Sequence, residues 1–333
     1  MKKILNKLYQ LSSLTEYESY HLFSNFIEGK INNIQLSAIL TAMKVRNITA
    51  EEIVGAVKIF LKKCELFPKP NYIFADIVGT GGDCQYTINI STISAIVAAI
   101  SGIKIIKHCN NSISSKSGSA DFLKYFEIST DLSSLQSKNI LDIYNICFLL
   151  ATKYHTGFQY AMSVRKVLST TTFFNIIAPL LNPAKPSLIV VGVYKKTLLL
   201  TMAKALKLLN YDRAIVIHSN GTDEVTLNGI TEVVELNHNK IISYQLTAES
   251  FGIKNNKQHL FKNISFSNDS ESMKNLLEGN GNITHMQTIA INVAMLLKIF
   301  GNEDLKENTE YALSIITSGK IDQYIKKISN KRG

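Results

Sequence analysis

The chain is short of the features that would place it in a membrane, a disulfide scaffold or a zinc-binding class. A membrane helix needs about 18 or more consecutive apolar residues. The nearest approach, Ile90 to Ile106, is interrupted by Ser91, Thr92, Ser94, Ser101, Gly102 and Lys104. No membrane span is expected. The start, Met1-Lys2-Lys3-Ile4-Leu5-Asn6-Lys7, is basic, but no apolar export core or cleavage site follows it, so a cytoplasmic protein is expected. The four cysteines, Cys64, Cys84, Cys109 and Cys147, lack CxxC or Cys/His spacing and read as reduced thiols. Arginine is scarce too: Arg46, Arg165, Arg213 and Arg332 are four of 36 basic residues. Where the default cation is lysine, each arginine invites a question about planar, two-pronged hydrogen bonding.

What remains is the composition of a soluble globular protein, 46% hydrophobic and 19% charged, with no low-complexity tract or internal repeat. Its 333 residues allow one large domain or two. The formal charge of +10 suits an anionic partner, either a phosphorylated metabolite or a nucleic acid, and does not choose between them.

Residues 1–67 carry apolar positions at helical spacing: Leu22, Phe23, Phe26 and Ile27, then Leu36, Ile39, Leu40 and Met43. Thr15 and Thr49, each followed by acids, predict capped helix starts. Pro68-Lys69-Pro70 breaks the pattern and suggests a domain boundary. Beyond it, β-rich runs alternate with helical ones, which predicts βαβ units and a largely parallel sheet. The predicted strands are Ile73–Val78, Ile103–Lys107, Ile146–Leu150, Leu188–Val193, Ala214–Ile217, Glu232–Leu236 and Ile241–Leu246. Helices are predicted at Ser91–Ser101, His155–Leu168, Thr172–Leu180, Ser270–Leu277, His285–Phe300 and Asn302–Thr317. The expected organisation is a helical domain at 1–67 joined by a returning insertion at about 155–186, and an α/β domain from 72–154 and 187–333. The lysine-rich end, Tyr324–Gly333, reads as a solvated tail.

Gly79-Thr80-Gly81-Gly82-Asp83 lies between a predicted strand and a helix, where backbone N–H groups can approach an anion. A dinucleotide fingerprint would require glycine where Cys84 stands and an acid where the second strand ends in Lys107-His108. A Walker loop has no match. A polyanion held by several loops at the carboxyl ends of neighbouring strands fits better. Asn89-Ile90-Ser91-Thr92 opens a helix, and Lys107 leads into the donor-rich loop Asn110–Ser119. After the strand Ala214–Ile217 comes His218–Glu224, whose Asp223-Glu224 pair has the hard oxygen ligands that magnesium uses beside phosphates. His108, His155 and His218 are site candidates by position alone. His21, His238, His259 and His285 read as surface or packing residues.

The chain resembles the anthranilate phosphoribosyltransferase family in Asp76–Asp83 with Asn89–Thr92, Lys107-His108 through Ser114–Asp121, Lys153–Gly157, Phe174-Asn175 with Pro179-Leu180 and Asn182-Pro183, and His218 with Gly221, Asp223 and Glu224. The resemblance implies a helical N-terminal domain on an α/β domain of the nucleoside phosphorylase/phosphoribosyltransferase type, forming a homodimer through the helical part. It implies transfer of phosphoribosyl from 5-phosphoribosyl 1-diphosphate to the amino group of anthranilate, in tryptophan biosynthesis, with two Mg²⁺ ions. Contacts to phosphoribosyl diphosphate would come from Gly79, Gly82, Asp83, Thr87 and Asn89 through Ile90, Ser91 and Thr92, then from Lys107, His108, Cys109, Asn110, Asn111, Ser112, Ile113, Ser114 and Ser115, and from Ser119. Gly79, Asn110 and Arg165 would meet anthranilate, and Ser91, Asp223 and Glu224 would hold metal.

No general base or covalent nucleophile is implied, since positioning and charge stabilisation carry such reactions. Cys84 and Cys109 replace glycines usual in the family's two loops, and Asn111 and Thr171 replace arginines, which predicts weaker phosphate contacts and a Cys109 side chain crowding its loop. Two rival readings exist: a pyrimidine nucleoside phosphorylase on the same architecture, independent of Mg²⁺, and a related nucleic-acid binder. Neither a membrane nor a nucleic acid is expected as a partner.

Overall fold

The computed structural model describes residues 1–82, 89–110, 119–254 and 270–329. Four helices come first: α1 (Lys2–Tyr9), α2 (Glu16–Ile27), α3 (Asn33–Val45) and α4 (Ala50–Lys63). Both anticipated caps form. Thr15 Oγ1 accepts from Glu18 N while Glu18 accepts from Thr15 N, and Thr49 with Glu52 repeats the exchange. Glu52 is wholly buried and also receives Leu14 N (2.8 Å) and the Arg46 guanidinium, which ties the loop before α2 and the end of α3 to the start of α4.

The remainder alternates: β1 (Ala75–Gly79), α5 (Ile90–Ile100), β2 (Ile105–Cys109), α6 (Ser119–Tyr125), α7 (Ser134–Tyr144), β3 (Ile146–Leu150), α8 (Ala151–Tyr154), α9 (Gln159–Leu168), α10 (Phe173–Ile177), β4 (Leu188–Gly192), α11 (Leu199–Leu208), β5 (Arg213–Ser219), β6 (Thr231–Asn237), β7 (Lys240–Leu246), α12 (Ser270–Leu277), α13 (Ile283–Ile299), α14 (Leu305–Thr317) and α15 (Lys320–Ser329). Every predicted strand is present within a few residues. The helix expected from His155 starts later, because His155 (φ −124°, ψ 73°) is not helical and a 3-10 turn at Thr156–Phe158 intervenes.

Among the described residues seven strands form one sheet in the order β3-β2-β1-β4-β5-β6-β7, parallel through β5 and antiparallel at β6 and β7. Apart from Asp76, Lys107, His108 and Arg213, the parallel strands are largely apolar on both faces because both faces are covered. Ala75, Ile77, Val190, Ile215 and Ile217 pack under α5, α13, α14 and α15. Val78, Ile189, Val191, Ala214 and Val216 pack against α11 and a core continuous with α2, α3, α4, α9 and α10.

The reading of the end as a solvated tail is overturned through residue 329. α15 buries Ile321, Ile325 and Ile328 in the core, and the Tyr324 hydroxyl reaches the Tyr144 carbonyl. Isoleucines four and three residues apart make one apolar stripe between lysines. Burying each stabilises by about 2 kcal/mol, which lysine-rich flanks do not oppose because their ammonium groups stay in water.

Candidate active site

The carboxyl ends of the parallel strands β1, β2, β4 and β5 lie along one edge of the sheet, and the 219–225 turn leans across β1 and β4. Ser219 N donates to Thr222 O (3.2 Å) and Thr222 N returns to Ser219 O (2.7 Å), closing the turn. Asn292 of α13 pins its far side, accepting from Val225 N (3.1 Å) and donating to Val225 O (2.9 Å). Asp223 thereby lies against Gly79 and Gly192. A Cβ at Gly79 would strike the Asp223 carboxylate, and one at Gly192 would strike the Asp223 carbonyl. These glycines are required by close approach.

Asp223 Oδ2 accepts from Gly81 N at 2.6 Å, so the acidic turn holds the glycine turn directly. Burial raises the Asp223 carboxyl above the usual carboxylate range, opposed by the Gly81 N–H and by Lys107. Beside it, Ser91 Oγ donates to Glu224 Oε1 at 3.3 Å. The structure thus brings together Gly79, Gly82, Ser91, Asp223 and Glu224 from three separate stretches of chain. Asn89 caps α5 without a side-chain bond to the helix. Ile90 is buried in the core, so any ligand contact it makes is through its main chain. Thr92 Oγ1 donates to Ser119 Oγ (3.1 Å), joining the openings of α5 and α6.

Lys107 is buried, and its Nζ donates to Ile77 O at 2.6 Å. Burial lowers its pKa, opposed first by Asp76 and then by Cys109, Glu224 and Asp223. His108 packs edge to face on His155, ring centres 5.6 Å apart, and burial drives the two imidazoles down to about 3 and about 4. His155 Nε2 lies 2.6 Å from Leu181 O, and His218 Nδ1 lies 2.7 Å from Val193 O. The Cys109 side chain is buried in the core, while the loop it was expected to crowd lies mostly outside the described residues. Cys109 is the last residue of β2, its thiol is directed at Leu149 O (3.5 Å), and burial pushes its pKa up to about 12. Asn110 follows half-buried. Asp83, Cys84, Thr87, Asn111, Ser112, Ile113, Ser114 and Ser115 lie outside the described residues.

Arg165 is on α9. Its Nη2 donates to Asn175 Oδ1 (3.3 Å), its guanidinium lies 5.9 Å from the Phe174 ring centre, and burial lowers its pKa. Among the described residues no ion pair to it is seen. Asn175 Nδ2 in turn donates to Thr80 O (3.4 Å), linking Arg165 to the glycine turn. Thr171 touches the same turn: a Cβ at Gly82, whose φ is +83°, would strike its methyl group. Lys44 of α3 donates to Thr171 O at 2.8 Å.

Sequence reasoning missed Asp76 and Asn182. Asp76 is fully buried on β1, and Asn182 Nδ2 donates to both Asp76 Oδ2 and Ile106 O, each at 2.8 Å. An aspartate inside the apolar run Ile73–Val78 was the available signal.

The arrangement offers backbone donors, a buried lysine and a carboxylate pair at one edge of the sheet, and the sequence and fold that carry it are similar to those of known proteins. A glycosyl transferase helical-bundle domain matches residues 2–64, and a glycosyl transferase α/β domain matches residues 71–321. The anthranilate phosphoribosyltransferase of Buchnera aphidicola subsp. Acyrthosiphon pisum (strain Tuc7) is 53% identical over 330 residues, covering 99% of this chain and 96% of that protein. The crystal structure of anthranilate phosphoribosyltransferase from Thermus thermophilus superposes with a TM-score of 0.88 at 27% identity, covering 98% of both chains. The Saccharomyces cerevisiae enzyme in complex with PRPP and Mg gives 0.84 at 26% identity, covering 99% of this chain and 97% of that one. A helical bundle joined to an α/β domain, matched at this level across nearly the whole length, places the chain in the anthranilate phosphoribosyltransferase family of glycosyl transferases.

Proposed function

We propose that the crevice at the carboxyl ends of β1, β2 and β5 transfers phosphoribosyl from 5-phosphoribosyl 1-diphosphate to the amino group of anthranilate, releasing diphosphate, as a step of tryptophan biosynthesis. The observation that carries this reading is the joining of the acidic turn to the glycine turn through Asp223 and Gly81, with Glu224 on Ser91. Two carboxylates and a hydroxyl fit Mg²⁺, which takes few protein oxygens and fills its shell with water and substrate phosphate. Bound there, Mg²⁺ supplies positive charge to the departing diphosphate. The half-buried Asp223 carboxylate, whose ionised form burial disfavours, is suited to a cation of this kind.

The chain's own groups divide the remaining work. The N–H groups of the glycine turn, the N-terminus of α5 and Lys107 hold the phosphates, with Asn89, Ile90, Thr92, His108, Cys109 and Ser119 along the same walls. Gly79, Asn110 and Arg165 receive anthranilate, the planar guanidinium gripping its carboxylate in two parallel hydrogen bonds. No side chain removes a proton in this scheme. The amine attacks C1 of a ribosyl centre that has become partly cationic as the C1–O bond to diphosphate breaks, the proton shed by the nitrogen passes to water, and orientation supplies much of the acceleration.

Residues 1–67 with the return at 155–186 form the helical unit in this proposal, and 72–154 with 187–333 the phosphate-binding unit. Two Mg²⁺ ions are bound per site. Two chains associate through the helical unit, a reading supported by its exposed Tyr9, Leu11, Ile34, Val45 and Val167. The compartment is the cytoplasm, in keeping with the buried free thiols of Cys109 and Cys147. Among the described residues no helix is long and apolar enough to cross a membrane.

Incubation with anthranilate, phosphoribosyl diphosphate and Mg²⁺ should extinguish anthranilate fluorescence, and chelation of Mg²⁺ should stop the loss. Folded protein that leaves the fluorescence unchanged would overturn the assignment.

A further inference from the structure

Strands β1 and β2 are neighbours, yet they part almost at once. β1 runs in register with β4 from Ala75–Leu188 to Gly79–Gly192, and β2 runs with β3 from Ile105–Ile146 to Cys109–Leu150. Between β1 and β2 only Ala75–Ile105 pairs. Past that point side chains take over main-chain groups that a continued ladder would engage. Asp76 Oδ2 accepts from His108 N (3.2 Å), Asn182 Nδ2 donates to Ile106 O (2.8 Å), and Lys107 Nζ donates to Ile77 O (2.6 Å). Asn182 also donates to Asp76 Oδ2 (2.8 Å), and its Oδ1 accepts from Ala184 N (3.0 Å), so the wedge is anchored in the loop before β4. An unpaired main-chain group buried in the sheet would cost about 1–3 kcal/mol, so these side chains make the parting affordable.

We propose that Asp76 and Asn182 form a wedge that keeps β1 and β2 apart at their carboxyl ends, and that Asp76 is thereby a positioning residue for the transfer. The parting sets how far Lys107 and His108, held on β2 by its pairing with β3, stand from the glycine turn at the end of β1. Asp76 acts through β2, since its hydrogen-bonded oxygen is engaged by His108 N and Asn182. The inference rests on the reading of Lys107 as a contact to phosphoribosyl diphosphate.

Asp76→Asn keeps the shape of the side chain but turns one of its two oxygens into a donor. Steady-state kinetics of the full chain should show KM for phosphoribosyl diphosphate raised about tenfold or more, with kcat at saturation within about threefold of the parent. Asn182→Ala removes the second leg and leaves Asp76 in place; the same KM should rise about threefold or more, which keeps the test open if Asp76→Asn does not fold. Glu52→Gln, which weakens a buried acid cluster in the helical part, serves as the comparison: it should lower the melting temperature and leave that KM unchanged. A folded Asp76→Asn or Asn182→Ala protein with the parent KM overturns the wedge. Lys107→Met separates the two ideas, since an unchanged KM in that variant removes Lys107 as a contact, whereas a raised KM there beside an unchanged one in Asp76→Asn removes the wedge alone.

Discussion

The two ends of strand β5 handle buried charge in opposite ways. At its start, Arg213 donates through Nε and Nη2 to Glu235 Oε1 (2.8 and 2.6 Å) and through Nη1 to Lys298 O (2.7 Å), and it pairs with Glu303 at 2.8 Å. Tyr244 closes Glu235 Oε2 at 2.7 Å, and Lys298 pairs with Glu303. Each charge there meets its opposite within the protein. Beyond the other end of β5 lie Asp223 and Glu224, and within the sheet on the far side of β4 lie Asp76 of β1 with Lys107 and His108 of β2, and His155 against His108. In this group burial raises Asp76 to about 6, drives both imidazoles down and lowers Lys107. Asp76 Oδ1, His108 Nε2 and His155 Nδ1 have no hydrogen-bond partner among the described residues. Matched charges fix the shape of the sheet. Charges held without full compensation at a crevice are what a charged ligand can complete.

The largest test of this contrast is Asp223→Asn. Its turnover should fall on the order of a thousandfold, while the melting temperature changes little. Retained turnover would show that the acidic turn is as structural as the Arg213 network. The converse substitution, Glu235→Gln, strips the charge from a buried pair and should cost about 3 kcal/mol of stability by denaturant unfolding. The KM values of its folded fraction should stay at the parent level. A shifted KM would mean that the matched end also shapes the site.

The third test is pH. A histidine whose folded pKa lies below its unfolded value contributes stability that is present above about 6.5 and is lost as pH falls towards the folded value. Between pH 8 and pH 5, His108 and His155 should each remove about 2 kcal/mol. Asp76, raised by burial, opposes them, because its contribution is present at low pH and is lost as pH rises through about 6. Thermal melts of His155→Gln should therefore show a shallower acid slope than the parent; an equal slope would remove His155 from the poised set. The smallest effect belongs to Lys196→Ala, which breaks an exposed bridge to Glu232 near the crevice. Stability should change by less than about 1 kcal/mol, and a larger loss would mean that exposed charge at this end is also structural.

Much of the fold was legible because local patterns agreed with tertiary ones. Ile146–Leu150 reads as a strand and is β3, and Thr15 and Thr49 read as caps and are caps. The exceptions have physical causes. α15 was hidden because its lysines, as many as its isoleucines, suggest a solvated segment, while the three isoleucines dominate the energy. Cys109 looked like an obstruction in a ligand loop, but strand alternation turns its side chain into the core. Asp76 was quoted within a motif and given no role, since nothing local says that Asn182, more than a hundred residues away, will meet it.

The sequence by itself determined the alternation of elements, the family and the kinds of chemical group at the crevice, because periodicity, capping and motif order are properties of neighbouring residues. Only the tertiary structure decided that the Asp223 turn closes on Gly79, Gly81 and Gly192, that β1 and β2 part after one pair, and that Asp76, Lys107, His108 and His155 are buried together. Those outcomes depend on groups far apart in the chain sharing a space from which water is excluded, where each unmatched donor or charge is costly enough to select its partner.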